Sequence, residues 1–261
     1  MIKKLFYKCM YEVMFGVLRK KYKLKYKLER AKQLNNFVLI KQNGEKIKNP
    51  NIRGLKLEFY GKNSTVEIHE PTSFENCVIG LSDNNYVSIE GSVYGIYNLK
   101  TETPLRKGSK LVIGKNLSCV GCRLYMNDEP DIKVVIGDDC MFSTDITIRP
   151  SDGHAIVSKD GKYLNKAEDI VIGNHVWLGM GAKVLKGARI PDNSVVAMSS
   201  VFLKNSYKTE ANSSTPPPTL AEIGTIFAGI PARVVKQGEF TWHRENCSGY
   251  CVWDYLLKEN K

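Results

Sequence analysis

The most regular pattern of apolar and small positions lies in the second half of the chain. Ile172, Leu178, Val184, Ile190 and Val196 each follow the last by six residues. Four residues past each stands Val176, Ala182, Ala188, Ser194 or Ser200, and Gly173 and Gly179 follow two of the aliphatics. Upstream, Ile136, Phe142 and Ile148 keep the same period; Ile136 and Ile172 are 36 apart, so both runs share one register. Ile113 and Cys119 begin an earlier, poorer run. A period of six fits neither an α-helix nor simple strand alternation. It fits a parallel β-helix in which each hexad is a short strand plus a corner, with the aliphatic pointing inward and the small residue allowing a close turn. Each coil is stable only against its neighbours.

Elsewhere the pattern changes. Residues 37–110 carry short apolar pairs (Leu55 and Leu57, Val66 and Ile68, Val87 and Ile89) separated by Asn, Gly and Ser, which predicts strands and turns. Leu5, Phe6, Cys9, Met10, Val13, Met14, Val17 and Leu18 recur at helical spacing and predict an amphipathic helix. The alternating stretch Tyr22–Leu28 fits a strand or a continued basic helix. The expected fold class is all-β: a parallel β-helix with an extruded loop and a short N-terminal helical segment. The expected divisions are a basic N-terminal segment (1–36), an irregular β region or early coils (37–110) and the hexad β-helix (111–203) with a loop at 149–169. A polar Pro-rich loop (204–224) and a C-terminal segment and tail (225–261) follow. No run of eighteen apolar residues predicts a membrane-spanning helix. Lys8 and Glu12 interrupt what would be the apolar core of a signal peptide.

Charge sharpens this division. The net charge is +11, but residues 1–33 hold eleven Lys and Arg against Glu12 and Glu29 alone, so +9 resides there and +2 in the rest. Such a segment is attracted to an anionic surface, and peripheral contact with a membrane's inner face is one expectation; a solvated helix face is the other. Vesicle co-sedimentation with and without residues 1–33 separates them. The seven cysteines are an odd number in a chain read as cytoplasmic, so reduced thiols are expected. Cys119–Cys122 and Cys247–Cys251 have spacings a zinc site could use, with nothing else to support a metal.

Three segments carry a family resemblance. They are Ile172-Gly-Asn-His-Val-Trp-Leu-Gly179, Ser151-Asp-Gly-His154-Ala-Ile with the downstream Lys166–Ile170, and Phe227-Ala-Gly-Ile-Pro-Ala-Arg233-Val-Val-Lys236. Over about residues 110–242 the chain resembles the hexapeptide-repeat O-acetyltransferases, and most of all the bacterial capsule-modifying enzymes, including those that acetylate polysialic acid. The resemblance implies a left-handed β-helix of three hexads per coil, a homotrimer, and active sites between neighbouring prisms. The chain departs from the family after Lys204. There a longer link, containing Ser213–Pro218, replaces the usual short one.

Acetyl transfer to a hydroxyl needs a base, because an alcohol is a poor nucleophile until its proton is removed, and imidazole suits that task near neutrality. The chain has four histidines: His69, His154, His175 and His243. His154 lies between two runs of hexads in one register, where a segment can leave the prism without disturbing the coils. The resemblance makes it the catalytic base; otherwise it reads as a turn histidine bonded to Asp152. Asp152 either orients His154 or caps its own backbone. Trp177 precedes an inward aliphatic and so should point off the prism. The resemblance puts it at the active site, with oligomer packing as the alternative. His175 also points outward and reads as a surface or interface histidine. Acetyl-CoA is the expected cosubstrate, with no metal. Gly179, Ala197, Ser199 and Ala232 are candidates to admit its pantetheine arm, and Lys204, Arg233 and Lys236 to meet its phosphates; tight corners and solvated strand cations are the plainer readings.

The expected function is therefore O-acetylation of a capsular or lipopolysaccharide sugar in the cytoplasm, with a polysaccharide or sugar partner and no nucleic acid. The alternatives are N-acetylation of an amino nucleotide-sugar, a non-catalytic β-helix that binds polyanions, and a zinc enzyme of the β-helix carbonic anhydrase type. The last needs a close histidine pair that this sequence lacks.

Overall fold

The computed structural model describes residues 31, 33–207 and 223–245. The N-terminal helix over 5–18, Tyr22–Leu28, most of the Pro-rich loop, and Cys247 and Cys251 lie outside the described residues. Among the described residues, twenty-three short strands form three sheets, which are the three faces of a prism. Within each turn the chain visits the faces in a fixed order. Lys133–Ile136 lies in the first sheet, Met141–Phe142 in the second and Ile146–Arg149 in the third. Pairing between turns is parallel throughout the stack. Among the named strands of the described residues, antiparallel pairs occur at its ends, between Asn36–Ile40 and Lys46–Lys48 and between Gly224–Gly229 and Ala232–Gly238. This is the left-handed parallel β-helix fold class, and its stack begins at Asn36.

The inward aliphatics make one continuous core. Ile136, Phe142, Ile148, Ile172, Leu178, Val184, Ile190 and Val196 are all buried. Ala182, Ala188, Ser194 and Ser200 are equally buried, as small residues at tight corners must be. Turn length explains why only the later hexads were regular. Val171 pairs with Arg189, 18 residues on, which is three hexads. Thr65 pairs with Tyr86 at 21 residues and Tyr86 with Lys110 at 24. The extra residues sit at corners, and they hide the period while leaving the stacking intact.

Corners are set by residues that accept a left-handed backbone. Asn116, Asp139, His175 and Asn193 form one column of positive φ, and Asn76, Asn98, Asp145 and Ser199 belong to another. Asn and Asp enter this region at the lowest cost after glycine, because their short polar side chains bond locally. Beside the first column, Asn174 Oδ1 accepts the Asp138 N–H at 2.8 Å and Asp192 Oδ1 accepts the Asn174 N–H at 2.7 Å. Gly137 is required there, since a Cβ would stand 2.6 Å from the Gly173 carbonyl oxygen.

Cys77, Cys119, Cys122 and Cys140 are buried in the prism as free thiols. Burial pushes the thiols of Cys119 and Cys140 up to about 12. Thiolate is the reacting form, so these cysteines should resist alkylation in the folded protein. We expect iodoacetamide at pH 8 to label none of the four within an hour and all four after denaturation, read by peptide mass spectrometry. Labelling in the folded protein would mean that the prism opens.

Candidate functional site

The loop carrying His154 leaves at the prism edge between the third and first sheets, after Ile146–Arg149 and before Ile170–Ile172. Val134 pairs with Ile170, 36 residues on. That turn is twice the regular 18, so the loop is one full turn's worth of chain held outside the stack. It is a small hairpin: Val157 bridges Tyr163, and Ser158 and Lys162 close the turn.

Several polar groups tie the loop down. Glu129 Oε1 accepts the Tyr163 hydroxyl at 2.5 Å and the Ala167 N–H at 2.8 Å. That bond pushes the Tyr163 phenol up to about 12. Asp128 accepts the Ser151 hydroxyl and, at 3.3 Å, the Arg149 guanidinium. Asn165 accepts the Ile156 N–H at 2.6 Å and donates to the His154 carbonyl and to Asp152, both at 2.9 Å. Hydrogen bonds of this density, most of them to carboxylates, order a segment that would otherwise be costly to fix.

His154 is exposed, and its ring has no hydrogen-bond partner among the described residues. Asp152 makes no hydrogen bond to that ring: its Oδ2 accepts from the Lys186 ammonium and from Asn165. The Lys186 hydrogen bond, followed by that of Asn165, holds the Asp152 carboxyl below its usual value. A depressed carboxyl contributes stability above its unfolded value and loses it as pH falls through the folded one, so this staple weakens only below about pH 4.

Trp177 lies on the second sheet, where it pairs with Met141 and Val195; it points off the prism and is 37% exposed. Its partner is Trp242, with ring centroids 6.3 Å apart. Trp242 belongs to a C-terminal strap that crosses back over this face. Its ring stacks on His175 at 4.1 Å, and its indole N–H donates to the His175 carbonyl at 2.9 Å. His175 is thus a corner residue clamped between Asp139 (Nδ1 to Oδ2, 2.6 Å) and Thr241 with the Trp242 carbonyl (Nε2, 3.0 and 3.1 Å). Arg244 completes the clamp. It donates to Asp139, to Ser118 Oγ at 2.6 Å, and to the carbonyls of Asn116 and Cys140, beneath the Tyr94 ring. Nothing in the sequence spacing announced this clamp, because Arg244 and Asp139 are 105 residues apart. Arg244→Met should cost about 2 kcal/mol, the scale of lost hydrogen bonds to a charged group. We expect a lower melting temperature and faster proteolytic trimming beyond Gln237; an unchanged digestion rate would deny the clamp.

Part of the coenzyme set lies together: Gly179 and Ala197 follow the paired Leu178 and Val196 on adjacent turns, and Ala228, which pairs with Arg233, follows Phe227 on the next. Gly179 is buried, and a Cβ there would meet the Met198 nitrogen at 2.7 Å, so coil packing alone requires it. Ala232 is wholly buried in the core and has only backbone to offer. Ala197 is half-buried, and Ser199 is an exposed corner at φ +57. The Lys204 ammonium pairs with Glu168, Arg233 reaches only the Ala232 carbonyl, and Lys236 lies over the Phe240 ring at 5.2 Å. His69 pairs with Glu90 at 3.5 Å, away from these groups. No group of metal-ligating side chains occurs among the described residues.

Comparison with known proteins places this arrangement. No family model matches the chain. A polysialic acid O-acetyltransferase of Escherichia coli O1:K1 is 36% identical over 90 residues, 34% of this chain and 29% of that protein. One from Neisseria meningitidis is 46% identical over 56 residues, 21% of this chain and 26% of that protein. The aligned segments thus span under a third of either relative. The crystal structure of the polysialic acid-specific acetyltransferase NeuO superposes with a TM-score of 0.60 at 25% identity, covering 87% of this chain and 95% of that one. The polysialic acid O-acetyltransferase OatWY gives 0.56 at 25% identity over 86% and 97%. The stacked hexad coils are thus a fold shared with the hexapeptide-repeat acetyltransferases. In sequence the chain is similar to the polysialic acid O-acetyltransferases of that class.

Proposed function

We propose that the chain transfers acetyl from acetyl-CoA to a hydroxyl of an acidic surface polysaccharide, with His154 as general base. The supporting observation is an exposed imidazole with no hydrogen-bond partner among the described residues, carried on a loop stapled outside the prism. A free ring nitrogen takes the hydroxyl proton as the oxygen attacks the thioester carbon. The tetrahedral intermediate then expels the coenzyme thiolate, and the imidazolium returns the proton to that sulfur. Ester forms, thioester breaks, and His154 ends neutral. Arg233 and Lys236 are exposed cations available to the coenzyme phosphates.

Topology argues for an assembly. His154 leaves at the edge between the third and first sheets, whereas Trp177 lies on the second sheet, the face opposite that edge. In one copy the two groups are on opposite sides of the prism. Beside Trp177 the surface carries exposed Met180, Met198 and Val235, an apolar patch that invites a partner. A trimer of such prisms brings the Trp177 face of one copy to the His154 edge of the next.

The test is a screen of acidic and neutral capsular polysaccharides with acetyl-CoA, read by thiol release and by NMR of the product. Acetyl uptake by acidic polymers supports the reading. Thiol release with none of them, from correctly assembled protein, removes it.

A further inference from the structure

Beyond the loop, the same prism edge carries a cavity of about 640 Å³. It is built from the edge segments of four consecutive turns: Tyr60, Asp83, the stretch Thr103–Lys107, and Asn127 with Pro130. The next turn along that edge is the one that extrudes His154. The segment that closes the cavity also anchors the loop, because Asp128 and Glu129, between Asn127 and Pro130, hold Ser151, Arg149, Tyr163 and Ala167.

The lining has the chemistry of an acidic sugar site. Arg106 and Lys107 are exposed, and their side chains have no ion-pair or hydrogen-bond partner among the described residues. The one lining acid, Asp83, has an oxygen committed to the Lys62 N–H at 2.9 Å. Tyr60 is fixed by its hydroxyl, which donates to Glu58 at 2.8 Å, while its ring remains 60% exposed. A held aromatic face offers a stacking surface at small entropic cost. Asn127 donates to Asp128 at 3.1 Å and keeps its carbonyl oxygen for a hydroxyl. The volume lies in the range of small-molecule sites.

We propose that this cavity is a remote acceptor subsite. It binds an anionic sugar residue of the same polymer chain whose hydroxyl is acetylated at His154. The inference rests on the proposed function and adds a direction to it: the acceptor runs along the prism edge, parallel to the stack. The edge at Thr103–Lys107 is two turns from the loop's root, about 10 Å at the spacing of paired strands. An extended polymer occupies both places and a short acceptor occupies one. The two guanidinium and ammonium charges attract the anion, and the tyrosine ring covers the apolar face of the sugar.

The test compares a long acidic polymer with a short oligomer of the same sugar, using the full-length protein. The variants are Arg106→Glu with Lys107→Glu, and separately Tyr60→Ala; neither touches the loop. We expect KM for the long polymer to rise about tenfold in the charge-reversed variant, with kcat unchanged and KM for the oligomer unchanged. Tyr60→Ala should shift KM in the same direction. Equal KM ratios for long and short acceptors in wild type and both variants would overturn the subsite. Direct binding of the unreacted polymer, measured by calorimetry, gives an independent reading. If wild-type protein binds the polymer, the variants bind it tenfold more weakly and no acceptor is acetylated, the subsite stands and the proposed activity falls. If acetylation occurs and binding is the same in all three proteins, the activity stands and the subsite falls.

Discussion

His154→Ala should lower turnover at least about a hundredfold, the usual scale of a general base, while leaving coenzyme A affinity within about twofold. The ring makes no contact that holds the loop: Asn165 bonds the His154 main-chain carbonyl, which alanine keeps. Glu129, Asp128 and Asn165 should therefore position the loop as before, and melting should not change. Measurement of kcat, KM and coenzyme dissociation constant on the purified variant decides the matter. Normal turnover would place the base elsewhere. Trp177→Ala should also be impaired, because the proposed site takes Trp177 from a second copy. Assemblies mixed from H154A and W177A chains should then regain part of the activity, since some junctions combine an intact edge with an intact face. No recovery in mixed assemblies would confine both groups to one chain.

The largest stability effect should come from Phe142→Ala. Phe142 is fully buried and sits in the second sheet between the turns of Cys119 and Leu178. Truncating a buried phenylalanine costs about 3–5 kcal/mol, the lost transfer energy plus the void that remains. In a stacked repeat the void is shared by the turns above and below, which have no other neighbour to close on. At about 2–4 °C per kcal/mol for a chain of this size, the melting temperature should fall by about 10 °C in differential scanning calorimetry. A fall below about 2 °C would show that the prism interior can collapse around the gap.

These two residues differ in how far the sequence revealed them. Phe142 could be read from its period alone, because the corners around it follow the hexad and each inward position repeats. The turns before it were harder to read. Thr65–Tyr86 and Tyr86–Lys110 are 21- and 24-residue returns, and their extra corner residues break the count although the strands stack in the same sheets. His154 was visible as a histidine in a gap between two runs of one register. Its surroundings were not: sequence proximity suggested Asp152 as its orienter, whereas a lysine 34 residues away claims that carboxylate. The strap of Thr241, Trp242 and Arg244 over His175 was equally hidden. It rests on contacts across five turns of the stack, from Tyr94 to Asn193, and a one-dimensional pattern carries no record of which distant residues a superhelix brings side by side.

The 36-residue return from Val134 to Ile170 has an evolutionary consequence. Strand pairing on either side resumes in register after the loop, so its tip can change while the stack is kept. Relatives could exchange its tip, between Val157 and Tyr163, and so alter which hydroxyl is presented to the imidazole, without renegotiating a single buried contact of the scaffold. Change in the acceptor would then be met by a short insert while the stacked spiral stays constant.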